Sequence, residues 1–312
     1  MFRVALFSAV TMFCVTMVVA AEFTVDRNDA GVTVKIDGKP LTTYLIKSGS
    51  KPILYPLIGP TGKAVTRNHP MAKAGPGERS DHPHHRSLWF THGNVNGHSF
   101  WHEKKGDKGP QIVHKEFLKV AGGKQAVIST RNEWVAPNGK VQCEDIRTLT
   151  FHADAKRRMI DFDITVKAKS EKVTFGDTKE GSFGIRVAGT MKVDAKKGGK
   201  IVNSEGQTNK KAWGKPAAWV DYHGPVEGEI VGVAILNHPS SFRYPSHWHV
   251  RTYGLFAANP FGMKHFTGKP VGAHTLEPGQ SFSLRYRVVL HEGDEKKGDI
   301  AKAFAAYSKE KK

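Results

Sequence analysis

The sequence predicts an all-β chain, a large antiparallel β-sandwich of the supersandwich type, with one short C-terminal helix. Three observations carry that prediction. Short segments that alternate apolar and polar residues, rich in β-branched side chains, recur along the chain beyond residue 22. Gly, Asn and Asp clusters punctuate them where a chain must turn. Helical periodicity is nearly absent before Asp299.

The first element runs from Val32 to Ile36, turns at Asp37-Gly38 and continues through Leu41 to Ile46, the pattern of a hairpin. Gln111 to Val120 and Gln125 to Val135 flank a turn at Gly122-Gly123. Pro137-Asn138-Gly139 then leads into Val141 to Phe151. Met159 to Ala168, Gly181 to Val193, Ala217 to Tyr222, Glu229 to Leu236, His247 to Ala257 and Ser281 to His291 follow as strands. Asp299 is placed to cap a helix whose Ile300, Phe304 and Tyr307 share one face. Residues 22–312 contain no repeat, linker or composition shift, so one domain is expected.

Composition narrows the classes further. Of 312 residues, 39% are hydrophobic and 24% charged, which supplies a core and excludes wholesale disorder. The one long apolar run, Val4 to Val19, excludes a multi-pass membrane protein. Arg3 precedes it and Ala20-Ala21 follow, so residues 1–21 are expected to be a signal peptide and the protein secreted or periplasmic, free of the membrane after cleavage. Cys14 leaves with that peptide and Cys143 remains alone, so no internal disulfide is expected. Lys and Arg number 47 against 29 acidic residues, a formal charge of +18, scattered along the chain. Such a field favours anionic partners, among them an anionic glycan. No recognition helix, zinc-finger spacing or RNA-binding motif accompanies it, so nucleic acid is not an expected partner.

Candidate chemistry concentrates in two places. Seven of sixteen histidines fall between His69 and His102, around His84-His85-Arg86, Trp89, His92, Asn96 and Trp101. Imidazoles move protons near neutral pH, indoles offer flat apolar faces, and Arg and Asn give directional hydrogen bonds, a combination that suits a sugar ring. In the second place, His247, His249, Arg251 and Tyr253 alternate with apolar residues and would share one strand face. His247-x-His249 also has the spacing for two imidazoles on one divalent metal; His84, His92 and Glu205 are candidates for a third ligand, although the sequence does not bring them together. Arg186, Glu205 at a strand-end turn, and Asp221 are further candidates.

The strings His82-Pro83-His84-His85-Arg86, Asn203-Ser204-Glu205-Gly206, Trp219-Val220-Asp221-Tyr222 and Asn237-His238-Pro239, together with His247-Trp248-His249, resemble a secreted bacterial family labelled "methane oxygenase PmoA-like". The resemblance implies a sandwich similar to galactose mutarotases and other carbohydrate-active proteins. The label itself fits poorly, because a membrane monooxygenase subunit needs several apolar helices of about 20 residues.

These observations favour acid–base chemistry on a sugar, of the epimerase, lyase or hydrolase type, without a cofactor. His249, His92 and Glu205 are the expected catalytic groups. His84, His85, Arg86, Trp89, Asn96, Trp101, Arg186, Asp221, Arg251 and Tyr253 are the expected substrate contacts in one groove. Two alternatives stay open: a non-catalytic glycan-binding protein, and an oxidoreductase with a divalent metal at His247 and His249.

Overall fold

The computed structural model describes residues 21–104, 106 and 108–311. The expected signal peptide, apart from Ala21, lies outside the described residues, as does Cys14. In chain order the strands are β1 (Phe23–Asn28), β2 (Gly31–Ile36), β3 (Lys39–Ser48), β4 (Lys51–Tyr55) and β5 (Leu88–His92). Next come β6 (Gln111–Ala121), β7 (Ala126–Val135), β8 (Val141–Ala153), β9 (Arg157–Lys167) and β10 (Val173–Phe175). Then follow β11 (Gly181–Arg186), β12 (Lys200–Asn203), β13 (Trp219–Val226), β14 (Glu229–Asn237), β15 (His247–Val250) and β16 (Leu255–Asn259). A short helix α1 (Met263–Thr267), β17 (His274–Leu276), β18 (Ser281–Glu292) and α2 (Ile300–Tyr307) complete the chain.

Among the described residues the strands form two eight-stranded sheets and a two-stranded one, β10-β17, with every strand pair antiparallel. The first runs β1-β2-β3-β4-β5-β11-β16-β15, and the second β12-β13-β14-β18-β9-β8-β7-β6. The fold class is therefore as the sequence predicts: strands make up 48% and helices 7%. The first hairpin turns at Asp37 and Gly38, both at positive φ, as a two-residue connection between twisted strands requires.

Alternation along the strands builds the core between the sheets. Phe90 and Phe183 of the first sheet meet Trp134, Phe162 and Tyr286 of the second, with Phe183 and Tyr286 stacked at 4.7 Å. A second apolar cluster lies outside the second sheet, where Ile300, Ala303 and Tyr307 of α2 cover Trp219, Leu236 and Val289. Asp299 precedes α2 in a left-handed conformation and makes no side-chain cap, so burial of that stripe holds the helix and the expected cap is corrected. A third cluster lies outside the first sheet: Ile53, Trp89, Trp101, Leu255 and Ala257, with Tyr55, Met71 and Tyr253 packed against them.

Two of the expected strands are shorter than predicted. β11 ends at Arg186, and the segment from His247 to Ala257 is a hairpin, with β15 and β16 joined at Arg251–Gly254. Arg251 and Tyr253 thus sit in a turn. Cys143 is buried and unpaired, and burial pushes its thiol well above the usual range. Among the described residues, no helix is long and apolar enough to cross a membrane.

Candidate active site

A row of paired residues crosses four strands of the first sheet: Trp89 opposes Gly184, Gly184 opposes Ala257, and Ala257 opposes His249. Paired residues share a face, and three strand spacings of about 4.8 Å put Trp89 and His249 about 14 Å apart. The two middle residues are small, which makes room for the Trp89 indole, and all four residues of the row are buried. Trp89 lies across Gly184, where an added Cβ would come within 2.7 Å of the indole ring. Gly184→Ala is therefore expected to cost about 1–3 kcal/mol through overpacking, read by urea denaturation. An unchanged midpoint would mean that Trp89 can move aside.

The long loop after β4 folds over this face and brings the histidines with it. Trp89, His85, His82 and Tyr253 stack in sequence, with neighbouring rings 4.9–5.5 Å apart and within 14° of parallel. Arg186 lies over Tyr253 at 4.8 Å and Arg251 at 5.5 Å. Arg186 donates from Nη1 to His85 Nδ1 at 3.0 Å, which leaves the His85 proton on Nε2. Burial first, then the nearby charges, hold His85 neutral, and burial lowers His84 to about 3.

His249 is almost fully buried. Its Nδ1–H donates to the Lys179 carbonyl at 2.8 Å, so Nε2 carries the free lone pair. Burial lowers the pKa to about 4, and the ring is neutral at pH 7. Trp213 and Phe266 stand beside it at 6.4 Å, and both are half-buried.

The structure adds a carboxylate that the sequence reading passed over. Glu180 precedes β11, and its charge acts on His249, His102 and Tyr253. Three consecutive carbonyls hold it in place. Thr178 accepts from Asn259 at 2.9 Å, Lys179 from His249, and Glu180 from the Gly93 amide at 2.6 Å. Burial raises its pKa, but the Lys179 ammonium, hydrogen-bonded to it at 2.9 Å, outweighs that, so it stays ionised. Parity gives the missed signal: Glu180 shares alternation with Ser182, Gly184 and Arg186. Asp81 is a second such carboxylate, bonded to Arg67 at 2.9 Å and Arg186 at 3.2 Å.

The first-sheet face thus brings together His84, His85, Arg186, His249, Arg251 and Tyr253. The other expected site residues lie elsewhere or are already engaged. His92 points from β5 into the core, against Phe175 and Phe261, with Nε2 on the Gly176 carbonyl. Arg86 is held in a fork by Glu103, which also takes Lys51. Trp89 and Trp101 are no more than 1% exposed, so they form the floor under the histidines and have no open face for a sugar. The half-buried Trp213 beside His249 is the indole there that keeps exposed surface. Asn96 spends its amide on Gln142, Lys172 and the Thr174 backbone. Glu205 is exposed in the turn after β12 and accepts from Ser204. Asp221 lies on the outside of the second sheet with His223 and His291. Around His247 and His249 no third His, Cys, Asp or Glu converges among the described residues.

Residues 31–305 match the model of a family of unknown function, DUF6807. The chain belongs to that family. No curated protein matches this DUF6807 member. Among solved structures it is similar to a GH36 alpha-galactosidase from Geobacillus stearothermophilus in complex with raffinose (11% identity, TM-score 0.42), covering 87% of this chain and 40% of that one. A galactose mutarotase-like protein from Lactobacillus casei (8%, 0.34) shares 86% of this chain and 100% of its own. A putative aldose 1-epimerase from Escherichia coli K12 (11%, 0.33) shares 87% and 99%. The chain spans about 40% of the length of the galactosidase. At such scores these likenesses decide nothing about activity.

Proposed function

We propose that the outer face of the first sheet binds a sugar and performs acid–base chemistry on it, with His249 Nε2 and Glu180 as proton acceptors. The observation that carries the reading is a shared backbone anchor. The neutral His249 imidazole donates to the carbonyl of Lys179, the residue that precedes the ionised Glu180. Arg251, for which no side-chain hydrogen bond is found among the described residues, lies over Tyr253 and supplies positive charge for a developing oxyanion. Burial raises the Tyr253 hydroxyl above its ordinary range, so it stays protonated and can return a proton. Trp213 provides a flat face that a sugar ring packs on. Secretion with loss of residues 1–21, and an anionic glycan as the substrate, belong to the same proposal; N-terminal sequencing of the exported protein tests the first.

Proton NMR tests the chemistry on neutral aldoses, uronates and their oligosaccharides. Faster anomer exchange or a new product is expected with at least one sugar. Binding with unchanged sugar would instead make the protein a glycan-binding module, and no binding at all would end the reading.

The pH profile follows from the site. His249 titrates near 4 and Glu180 below its ordinary range, so both acceptors are ready across neutral pH. Activity should hold from about pH 5 through 8 and fall only as acid protonates them. An acid limb centred between pH 6 and 7 would assign the base to a different group.

A further inference from the structure

On the opposite side of the sandwich, outside the second sheet, a cluster of chemistry-bearing side chains takes no part in the site above. Asp221 and His223 project from β13, His291 from β18, and Glu295 from the turn that leads into α2. We infer that Asp221, His223 and Glu295 form a site for a divalent transition metal of the zinc type, which fastens the C-terminal turn to the sheet.

The ligand atoms are already assembled. One atom each from Asp221, His223 and Glu295 lie within 4.8 Å of one another. His223 Nδ1 is 2.6 Å from Asp221 Oδ1 and 3.7 Å from Glu295 Oε2. Metal–ligand bonds of about 2.0–2.2 Å place tetrahedral ligand atoms roughly 3.3 Å apart, within reach of these separations. An imidazole with two carboxylates is a donor set that such ions accept. Water would complete the coordination.

A second observation points to a ligand. Glu295 Oε2 is buried and has no hydrogen-bond partner. A carboxylate oxygen stranded this way is costly unless something positive meets it, and it faces the His223 nitrogen that a metal would take. His223 and Glu295 keep 7% and 13% of their side-chain surface, which leaves a path for an ion, whereas Asp221 and His291 are closed off.

The surroundings are shaped to hold this geometry. His291 opposes Gly232 of β14, and its ring lies where a Gly232 side chain would be; an added Cβ would come within 2.2 Å of it. Gly298 packs on the same imidazole, with a Cβ approach of 2.5 Å. Clamped between two glycines, His291 reaches across β14 and donates from Nε2 to Asp221 Oδ2 at 2.7 Å. That bond fixes one oxygen of Asp221 and leaves Oδ1 for the ion. Metal entry uses the His223 Nδ1 lone pair: a proton on Nδ1 leaves to solvent, the ring carries its proton on Nε2 instead, and the Nδ1 hydrogen bond to Asp221 Oδ1 gives way to the two metal bonds.

Zn²⁺ alone is the probe, added to the full chain after chelator treatment and dialysis. Calorimetry should show a tight site whose occupancy raises Tm. Glu295→Gln and His223→Ala should each remove one bound equivalent and the zinc-dependent rise in Tm. His291→Gln should weaken binding by about 10–100-fold without abolishing it. Co²⁺ in the same site should give visible d–d absorption that disappears in Glu295→Gln, which distinguishes it from ions held by the His82–His85 loop. Glu295 sits in a rim turn, so its variant tests the site even if His223→Ala folds poorly. Zinc binding unchanged in Glu295→Gln, or no binding by the wild type, would overturn the inference.

Discussion

Asp81→Asn should destabilise the protein by about 3 kcal/mol. Asp81 Oδ1 accepts from Arg67 at 2.9 Å and from Arg186 at 3.2 Å. Both guanidiniums are buried, with 2% and 3% of their side chains exposed. Arg67 also donates to the carbonyls of Asp81, His82 and His85, so hydrogen bonds would survive the substitution but the counter-charge would not. Two like charges would then face each other in a poorly solvated space. Breaking a buried pair costs about 3–5 kcal/mol; Asp81 is itself 35% exposed, and solvent screening puts the expectation at the low end.

The pH dependence of stability gives the same test a sign. Burial raises the Asp81 pKa, and the charges of Arg186, His82 and Arg67 more than reverse that, so the folded value lies below the ordinary one. The stabilisation is present above the unfolded pKa of about 3.9 and is lost as pH falls through the folded value. Urea midpoints should therefore fall in Asp81→Asn at neutral pH, with unchanged slope, and the gap to wild type should close in acid. A change under 0.5 kcal/mol at pH 7 would mean that the carbonyls alone satisfy both arginines.

Much of the architecture was legible because burial on one face imposes a period of two. Of the strands that escaped notice, β4 and β5 are short and buried on both faces, so alternation vanishes; Leu88–His92 is buried throughout. The site was legible in residue type more than in direction. His85, Arg186 and His249 were found as expensive polar groups, but His92 and Trp89 lie on opposite faces of one strand, and nothing in the local sequence says which face is covered by the loop. Arg86 looked free because its partner, Glu103, comes from a turn seventeen residues away. Glu180 was missed for a smaller reason: it stands one residue before the strand that carries its parity.

His249 and Glu180 give the largest effect expected on turnover. Loss of a positioned proton acceptor typically costs about 10²–10⁴-fold in rate, so His249→Ala and Glu180→Gln should each fall in that range. The double variant should lose far less than the product, because the two serve one proton transfer. His249→Ala also strands the Lys179 carbonyl, which should lower stability by about 1–3 kcal/mol. A second substitution separates the two roles. In His249→Asn the side-chain amide N–H can replace the Nδ1–H toward Lys179, while the Nε2 lone pair is gone. Stability should recover and turnover should not. If turnover returns with stability in His249→Asn, His249 acts only by holding Lys179 and Glu180 in place, and the acceptor is Glu180 alone. If Glu180→Gln also keeps wild-type turnover, neither group is the proton acceptor and the proposed site on this face is wrong.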